Sequence, residues 1–449
     1  MHGRTQEPAL TLAGTSDRSS SRIYARVWRW HFFAALIVIP FVLWQAATGV
    51  LYLWSRELVH ITHPELMTVR ADTAQASYEA QLAGVLVHHP RDRLAAIEIS
   101  DAATDATMFF FRDDNGLTYP AFSNPHSGAY LGALTSFQWV ASVSRGLHGG
   151  WPVKPYGSYV LELGACWTIV MVLSGMYLWW PQHTRGLAGV LYPRLRSGSR
   201  IFWRDVHATV GIYFSVLFLL FLFTALPWTS FWGERVLAPL EALVGQPSPL
   251  GFFFASGPDH HHSAAAHQSA HQATHGGHPM LSLDQLVARV RSEGLRRRIE
   301  LHPNGDGQGR INARDEHARS KDEVWLQLDA HSGAVLTKVT WPDFPPLARA
   351  VALGVDLHEG KYFGRINQIF NTVVALALVW LAVTGFIGWY RRRPQGGLAA
   401  PPKQMHRLPL AAKLGALVLC VVLPMLAGSL LVLLLLEQAF GKILPVRAR

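Results

Sequence analysis

The stretch "RGLHGGWPVKPYG" at residues 145–157 contains Leu-His-x-Gly directly before a long apolar run, and "DLHEGKYFG" at residues 356–364 does the same before another. A second pair of stretches also matches: "NPHSGAYLG" at 124–132 and "DAHSGAVLT" at 329–337. Internal repetition of this kind has to be recognised before the fold is assigned, because each copy is one structural unit. The chain is therefore predicted to be built from a duplicated unit.

The spacing between the matched positions is the same in both halves. Counting from a histidine to a Ser or Thr, it is 26 residues for His148–Ser174 and His358–Thr384, and 17 residues for His31–Thr48 and His207–Thr224. A helix rises about 1.5 Å per residue. Each unit is thus interpreted as one membrane-spanning helix, an outer segment and a second spanning helix.

The composition is that of a membrane protein. The chain has 449 residues, of which 50% are hydrophobic and 16% are charged. A helix needs about 20 apolar residues to cross the hydrocarbon core, and five segments are predicted to do so: 31–54, 157–181, 207–228, 366–390 and 410–436. The first is too long for a signal-peptide core and is interpreted as a retained anchor.

The formal net charge of +10 predicts the topology. Arginines and lysines cluster before the first predicted span and in the loops 182–206 and 391–409, which the positive-inside rule places in the cytoplasm together with residues 1–30. The segments 55–156 and 229–365 then face outward, and residues 437–449 form a tail. Because the basic residues serve topology, no nucleic-acid partner is expected.

Each outer segment is predicted to form a small α+β domain. "LSLDQLVARVRSEG" at 281–294 combines a Ser-x-x-Gln capping box with helical apolar spacing. Strand-like runs follow, with "DEVWLQLD" at 322–329 and "AVLTKV" at 334–339. In the first segment the corresponding strands are predicted at "AAIEIS", "ATMFFFRD" and "AYLGAL".

These residues resemble a known family. A helix followed by strands and a D/N-x-x-S-G turn is similar to the PepSY module, and with its flanking helices the chain resembles the PepSY-associated transmembrane family over roughly 22–393. That resemblance implies a multi-pass protein of the bacterial inner membrane. It also implies a relation to iron-regulated membrane proteins and to reductases that release iron from ferric siderophores. A His-rich insert at 260–278 departs from the family pattern.

The repeated histidines are predicted to hold haem. Imidazole is the usual axial ligand of haem iron, and helical bundles bind cofactors between facing helices. His31 and His207 begin the first and third spans, whereas His148 and His358 precede the second and fourth. The topology therefore predicts one pair at each membrane face and two bis-His b-type haems. The two Cys residues occur in no C-x-x-C-H motif, so covalent c-type attachment is excluded.

The predicted fold is thus an α-helical integral membrane protein, with a four-helix haem-binding core from the duplicated unit, a fifth helix and two PepSY-like extracytoplasmic domains. Four basic residues are candidates for haem propionates or an anionic substrate: Arg145, Lys154, Lys361 and Arg365. The insert is a candidate metal-binding tract through seven histidines: His260, His261, His262, His267, His271, His275 and His278.

The leading functional hypothesis is a haem-dependent ferrisiderophore reductase. No dinucleotide-binding fingerprint is present, so electrons are expected from a separate donor, a quinol or a reduced flavin. Expected partners are a ferric siderophore or other Fe(III) chelate, membrane lipid and a periplasmic binding protein. Two alternatives stay open: a non-enzymatic PepSY sensory or regulatory protein, and a metal permease that collects ions with the His-rich loop.

Overall fold

The computed structural model describes residues 13–153, 156–180, 186–250, 280–303, 309–316, 319–393, 401 and 409–443. The chain divides into two compact units. The helical unit comprises Met1–Ala46, Tyr159–Phe223 and Val374–Arg449, and the sheet unit comprises Ala47–Ser158 and Thr224–Val373. Each unit contains parts of both sequence repeats.

The α-helices are α1 Ala13–Leu53, α2 Ser55–Thr62, α3 Pro64–Met67, α4 Tyr78–His88, α5 Val140–His148, α6 Gly157–Trp179, α7 Ser199–Ala225, α8 Ser230–Trp232, α9 Ala238–Leu243, α10 Leu283–Ser292, α11 Pro346–His358, α12 Arg365–Tyr390, α13 Leu410–Val422 and α14 Pro424–Ile443. The strands are β1 Arg93–Ile99, β2 Thr107–Arg112, β3 Thr118–Ser123, β4 Tyr130–Ala133, β5 Arg298–Pro303, β6 Arg310–Glu316, β7 Trp325–Asp329 and β8 Val335–Val339. A π-helical turn at Gly233–Leu237 joins α8 to α9.

Four helices of the described chain are long and apolar enough to cross a membrane: Ile23–Leu53, Gly157–Trp179, Ser199–Trp228 and Arg365–Tyr390. They coincide with the first four predicted spans, which confirms an integral membrane protein. Two of them extend further on their amino-terminal side than the hydrophobic runs indicate. α7 starts at Ser199 rather than at residue 207, because its first turns carry Arg and Trp side chains that suit an interface.

The predicted fifth span at 410–436 is not one straight helix. Leu410–Val422 and Pro424–Leu436 meet at a bend of 117°. Pro424 has no backbone N–H and its ring clashes with the preceding turn, so the helix stops at Val422 and restarts after Leu423. The prediction of a single fifth helix is therefore wrong in geometry, and the pair forms either a broken span or a re-entrant segment.

Close helix contacts in the helical unit depend on small residues. Val38 and Val42 of α1 pack with Ala382 of α12 in a buried cluster. A Cβ atom at Gly164 of α6 would lie 2.5 Å from the ring of Phe41, so only glycine permits that approach of α6 to α1. A second cluster joins Phe218 of α7 to α12.

The sheet unit contains one antiparallel sheet of eight strands in the order β4-β3-β2-β1-β5-β6-β7-β8. The first four strands belong to the first outer segment and the last four to the second. The two sets join where β1 pairs with β5, with Glu98 opposite Glu300. The prediction of two separate α+β domains is thus corrected: the two copies share one continuous sheet, which removes one edge strand from each copy.

Helices pack against both faces of this sheet. Val85 of α4 and Val290 of α10 are fully buried against Phe109, Phe111 and the apolar side chains of β5 to β7. The opposite face of β2, with Met108 and Phe110, packs under α2, α3 and Trp139. Because both faces are covered, β2 has the continuous apolar run TMFFFR instead of an alternating pattern.

Acidic side chains of α4 and α10 cap each other's helix. The Asp284 carboxylate accepts hydrogen bonds from the backbone N–H groups of Tyr78 at 2.8 Å and Glu79 at 3.1 Å. The Glu79 carboxylate in turn accepts from the Leu283 N–H at 2.8 Å. Each negative charge therefore meets the positive end of the other copy's helix dipole, which ties the two repeats together.

Several predicted elements are confirmed. The capping box at Ser282 and Gln285 is formed in full, and the strand-like runs in both segments correspond to β1, β2, β4, β7 and β8. The strands β3, β5 and β6 were not predicted from the sequence. The strand β6, RINARDE, is polar at most positions, so its pairing with β5 and β7 rather than its own composition makes it a strand.

Candidate cofactor-binding histidines

The four histidines predicted as ligands lie at equivalent positions of the two repeats. His31 belongs to α1 and His207 to α7, and both are in the helical unit. His148 is the last residue of α5 and His358 the last of α11, and both are in the sheet unit. Neither short helix runs on into the next span, because glycines with positive φ follow both histidines, and His148 is also followed by two prolines.

Each imidazole uses Nδ1 to contact a hydroxyl on a spanning helix. The Nδ1 to oxygen distances are 2.9 Å for His31 and Ser174, 3.1 Å for His148 and Thr48, 3.1 Å for His207 and Thr384, and 3.3 Å for His358 and Thr224. These are the same Ser and Thr residues that end the repeated 26- and 17-residue spacings. In all four contacts the nitrogen next to the hydroxyl is Nδ1 rather than Nε2.

The contacts are reciprocal within each repeat. α1 presents His31 to Ser174 of α6, and the histidine that precedes α6, His148, contacts Thr48 of α1. The second repeat reproduces this exchange between α7 and α12. One sequence duplication therefore yields four copies of one histidine-hydroxyl contact.

The hydroxyl protons identify which ring nitrogen is protonated. Ser174 donates its hydroxyl proton to the Met171 carbonyl at 3.0 Å, and Thr384 donates to the Trp380 carbonyl at 2.9 Å. Their oxygens are then left to accept, so Nδ1 of His31 and of His207 must carry the donated hydrogen. In a neutral imidazole the lone pair is then on Nε2, which is the form that binds a metal.

Glycines let three of the rings lie close to a helix backbone. A Cβ atom would lie 3.2 Å from Cε1 of His148 at Gly49, and 3.3 Å from Cε1 of the facing histidine at Gly175 and at Gly385. The fourth position differs, because Ala225 follows Thr224. That site also has the longest Nδ1 to oxygen distance of the four, 3.3 Å.

The rings approach each other in pairs. The ring centroids of His148 and His358 are 6.3 Å apart with an interplanar angle of 60°. His31 and His207 lie within electrostatic range of each other in the helical unit. With metal–nitrogen bonds of about 2 Å, two imidazoles on opposite sides of one ion have centroids about 6 Å apart. The spacing of His148 and His358 and the donor chemistry of both pairs therefore fit a bis-imidazole metal group.

The candidate basic residues near the second pair are engaged with carboxylates of the sheet unit. Nζ of Lys361 lies 2.6 Å from a Glu359 carboxylate oxygen. Although burial raises it, the pKa of Glu359 is held at about 2 by the charges of Lys361 and Arg145. Arg365 pairs with Glu57, and Arg145 also lies 6.0 Å from the Tyr52 ring centroid.

Two predicted sites fall wholly or partly outside the described residues: Lys154, and the insert at 260–278 with its seven histidines. Within the described ranges, no group of three or more His, Cys, Asp or Glu residues could hold a metal ion. The four hydroxyl residues align in the sequence, but their role as histidine partners was not predicted. Their signal was the constant spacing from each histidine.

The chain is an integral membrane protein with a duplicated set of four membrane-spanning helices. It also has one β-sheet shared by both repeats and two pairs of histidines. The chain belongs to the family described as the PepSY-associated TM region, which matches residues 28–392. The match ends before α13, so the bent helix pair lies beyond it. No curated protein matches the chain.

Proposed function

We propose that the chain is a haem-b-containing reductase of the bacterial inner membrane, which passes electrons outward to reduce an Fe(III) chelate. The observation that carries the proposal is the fourfold histidine-hydroxyl contact, which supports Nε2 of each ring as a ligand and arranges the rings in two pairs. The substrate class, a ferric siderophore, is suggested by the resemblance to siderophore-reducing members of the family.

His31 and His207 would hold one haem, and His148 and His358 the other. A b-type haem between two imidazoles supplies one-electron redox chemistry. The hydroxyl partners fix the orientation of each ring and increase the basicity of Nε2, as outer partners of metal-bound histidines do. The glycines at 49, 175 and 385 let three of the imidazoles lie close against a helix.

The two pairs would serve two depths of the membrane. His31 and Thr48 lie on the same helix, 17 residues apart, which corresponds to about 25 Å of helix. Thr48 contacts His148, a member of the second pair. This spacing supports a path for electrons from a cytoplasmic or quinol donor to the outer face.

Reduction suits iron release because Fe(III) prefers hard oxygen ligands, and Fe(II) is held by them less strongly. The shared sheet would offer the docking surface for the chelate or for a periplasmic binding protein. A purely sensory PepSY protein or a metal permease needs no paired imidazoles, and neither alternative explains four matched histidine-hydroxyl contacts.

The proposal is tested with reduced protein. Detergent-purified protein is reduced without oxygen, freed of excess reductant and mixed with a ferric hydroxamate. We expect haem oxidation together with one Fe(II) released per electron, trapped by a ferrous-specific chelator. In His358→Ala, which lacks one ligand of the second pair, this reaction should slow strongly. Protein without haem, or reduced haem that the chelate does not oxidise, contradicts the proposal.

A further inference from the structure

A compact group of His, Asp and Tyr side chains lies at the end of α4, apart in sequence from the four paired histidines. Nδ1 of His89 is 3.1 Å from Oδ2 of Asp92 and 3.5 Å from the hydroxyl oxygen of Tyr119. The Tyr119 hydroxyl also hydrogen-bonds Asp92. An imidazole nitrogen, a carboxylate and a phenol are thus mutual neighbours.

The imidazole of His89 is held in place from its other side. Nε2 lies 3.2 Å from the hydroxyl oxygen of Tyr130, and the ring stacks on Phe111 with centroids 4.9 Å apart. If Nε2–H donates to Tyr130, the Nδ1 lone pair faces Asp92 and Tyr119. A fixed ring whose second nitrogen is hydrogen-bonded is the usual arrangement of a histidine that binds a metal.

The fold brings these residues together from separate elements. His89 is the C-cap residue directly after α4, and Asp92 follows in the turn before β1. Tyr119 is the cross-strand neighbour of Phe111 in the β2–β3 pair, so its ring lies on the sheet face that α4 covers. Asp92 is 38% exposed, which leaves the group open to solvent and to an incoming ion.

We propose that His89, Asp92 and Tyr119 form a binding site for a transition-metal cation, with Fe(III) as the preferred ion. Donor atoms bound at about 2.1 Å to one ion lie about 3 Å from each other, close to the separations found here. Phenolate and carboxylate oxygens are hard ligands that favour Fe(III) over soft ions. Binding replaces the proton of the phenol with the cation.

Burial and the adjacent Asp92 carboxylate raise the pKa of the Tyr119 phenol. Without a cation the phenol therefore stays protonated and bonded to Asp92, and the group is a closed hydrogen-bonded network. Cation binding at this site does not depend on the haem proposal, whereas iron as the natural ion rests on the proposed function.

The test is Fe(III) titration of the full-length protein, with iron supplied as its nitrilotriacetate complex. Bound iron is counted after desalting, the EPR signal of high-spin non-haem Fe(III) is recorded, and a phenolate-to-iron charge-transfer band is sought by difference spectroscopy. We expect a Tyr-ligated ion, with affinity falling about tenfold or more in Tyr119→Phe and Asp92→Asn. The exposed residues Tyr156 and Asp114 provide matched controls, Tyr156→Phe and Asp114→Asn, which should bind as the wild type does.

Two further measurements distinguish iron bound at this site from iron bound elsewhere and from loss of folding. The insert at 260–278 is present in all variants, so iron held there contributes equally to each and gives no phenolate band. Melting temperatures without iron identify a variant that misfolds, and Asp92→Asn at its exposed position keeps the test valid if Tyr119→Phe fails to fold. Iron binding that is absent, or unchanged in both variants, overturns the site. Haem content, read on the same samples, reports separately on the proposed function.

Discussion

Replacing Thr384 with valine removes one hydroxyl partner and keeps the side-chain shape. Thr384 is 1% exposed, and its oxygen lies 3.1 Å from Nδ1 of His207. In Thr384→Val the Nδ1–H group retains only the nearby backbone carbonyl of Leu381 as an acceptor. Losing one such hydrogen bond costs about 1 kcal/mol, and outer partners of metal ligands change metal affinity by about 10- to 100-fold.

We therefore expect Thr384→Val to release haem about tenfold faster than the wild type, measured as transfer to an excess of apomyoglobin. Thr384→Ser keeps the hydroxyl and should restore retention. Thr168 is the matched control, since it is equally buried in a span and its hydroxyl donates at 2.7 Å to Gly164 of its own helix. Equal release rates in Thr384→Val and Thr168→Val would refute the role given to the hydroxyl.

Three other predictions follow from the described contacts. Ala225→Gly should let His358 approach its helix as the other three histidines do, and a shift in the EPR g-values of that site, absent in Gly388→Ala, checks this. Burial raises the pKa of Glu323 to about 7, so its contribution to stability is present below about pH 4.5 and lost as the pH rises through 7. Glu323→Gln should remove this loss of stability, worth about 3 kcal/mol, in melting curves between pH 5 and 8. A pH profile of the variant identical to that of the wild type would contradict this prediction. Asp284→Ala leaves two N–H groups of α4 uncapped and should destabilise the sheet unit by about 1–2 kcal/mol. The control Asp101→Ala, at an exposed position, should not destabilise it. Equal denaturation midpoints for Asp284→Ala and the wild type would show that the cap contributes nothing.

The sequence predicts the parts of this protein that depend on local pattern. Apolar runs of membrane length mark the first four spans, and equal spacing in the two halves identifies the four histidines together with their hydroxyl partners. Both signals are read along the sequence itself. They need no knowledge of which helix faces which.

Features that depend on the meeting of distant segments could not be predicted in this way. The contact of His31 with Ser174 joins residues 143 positions apart, and it depends on how α1 and α6 face each other. The pairing of β1 with β5 unites two segments that each look self-sufficient in sequence. The group at His89 was missed because Tyr119 is an ordinary strand residue until the β2–β3 register places it beside α4.

The most direct test of the central claim is the number of b-type haems per chain, counted by the pyridine haemochrome method. It is measured in the wild type, in a double variant with His31→Leu and His207→Leu, and in one with His148→Leu and His358→Leu. The paired-histidine account predicts two haems in the wild type and one in each double variant. A wild-type protein without haem, expressed with ample haem supply, or counts that the double variants leave unchanged, would contradict it.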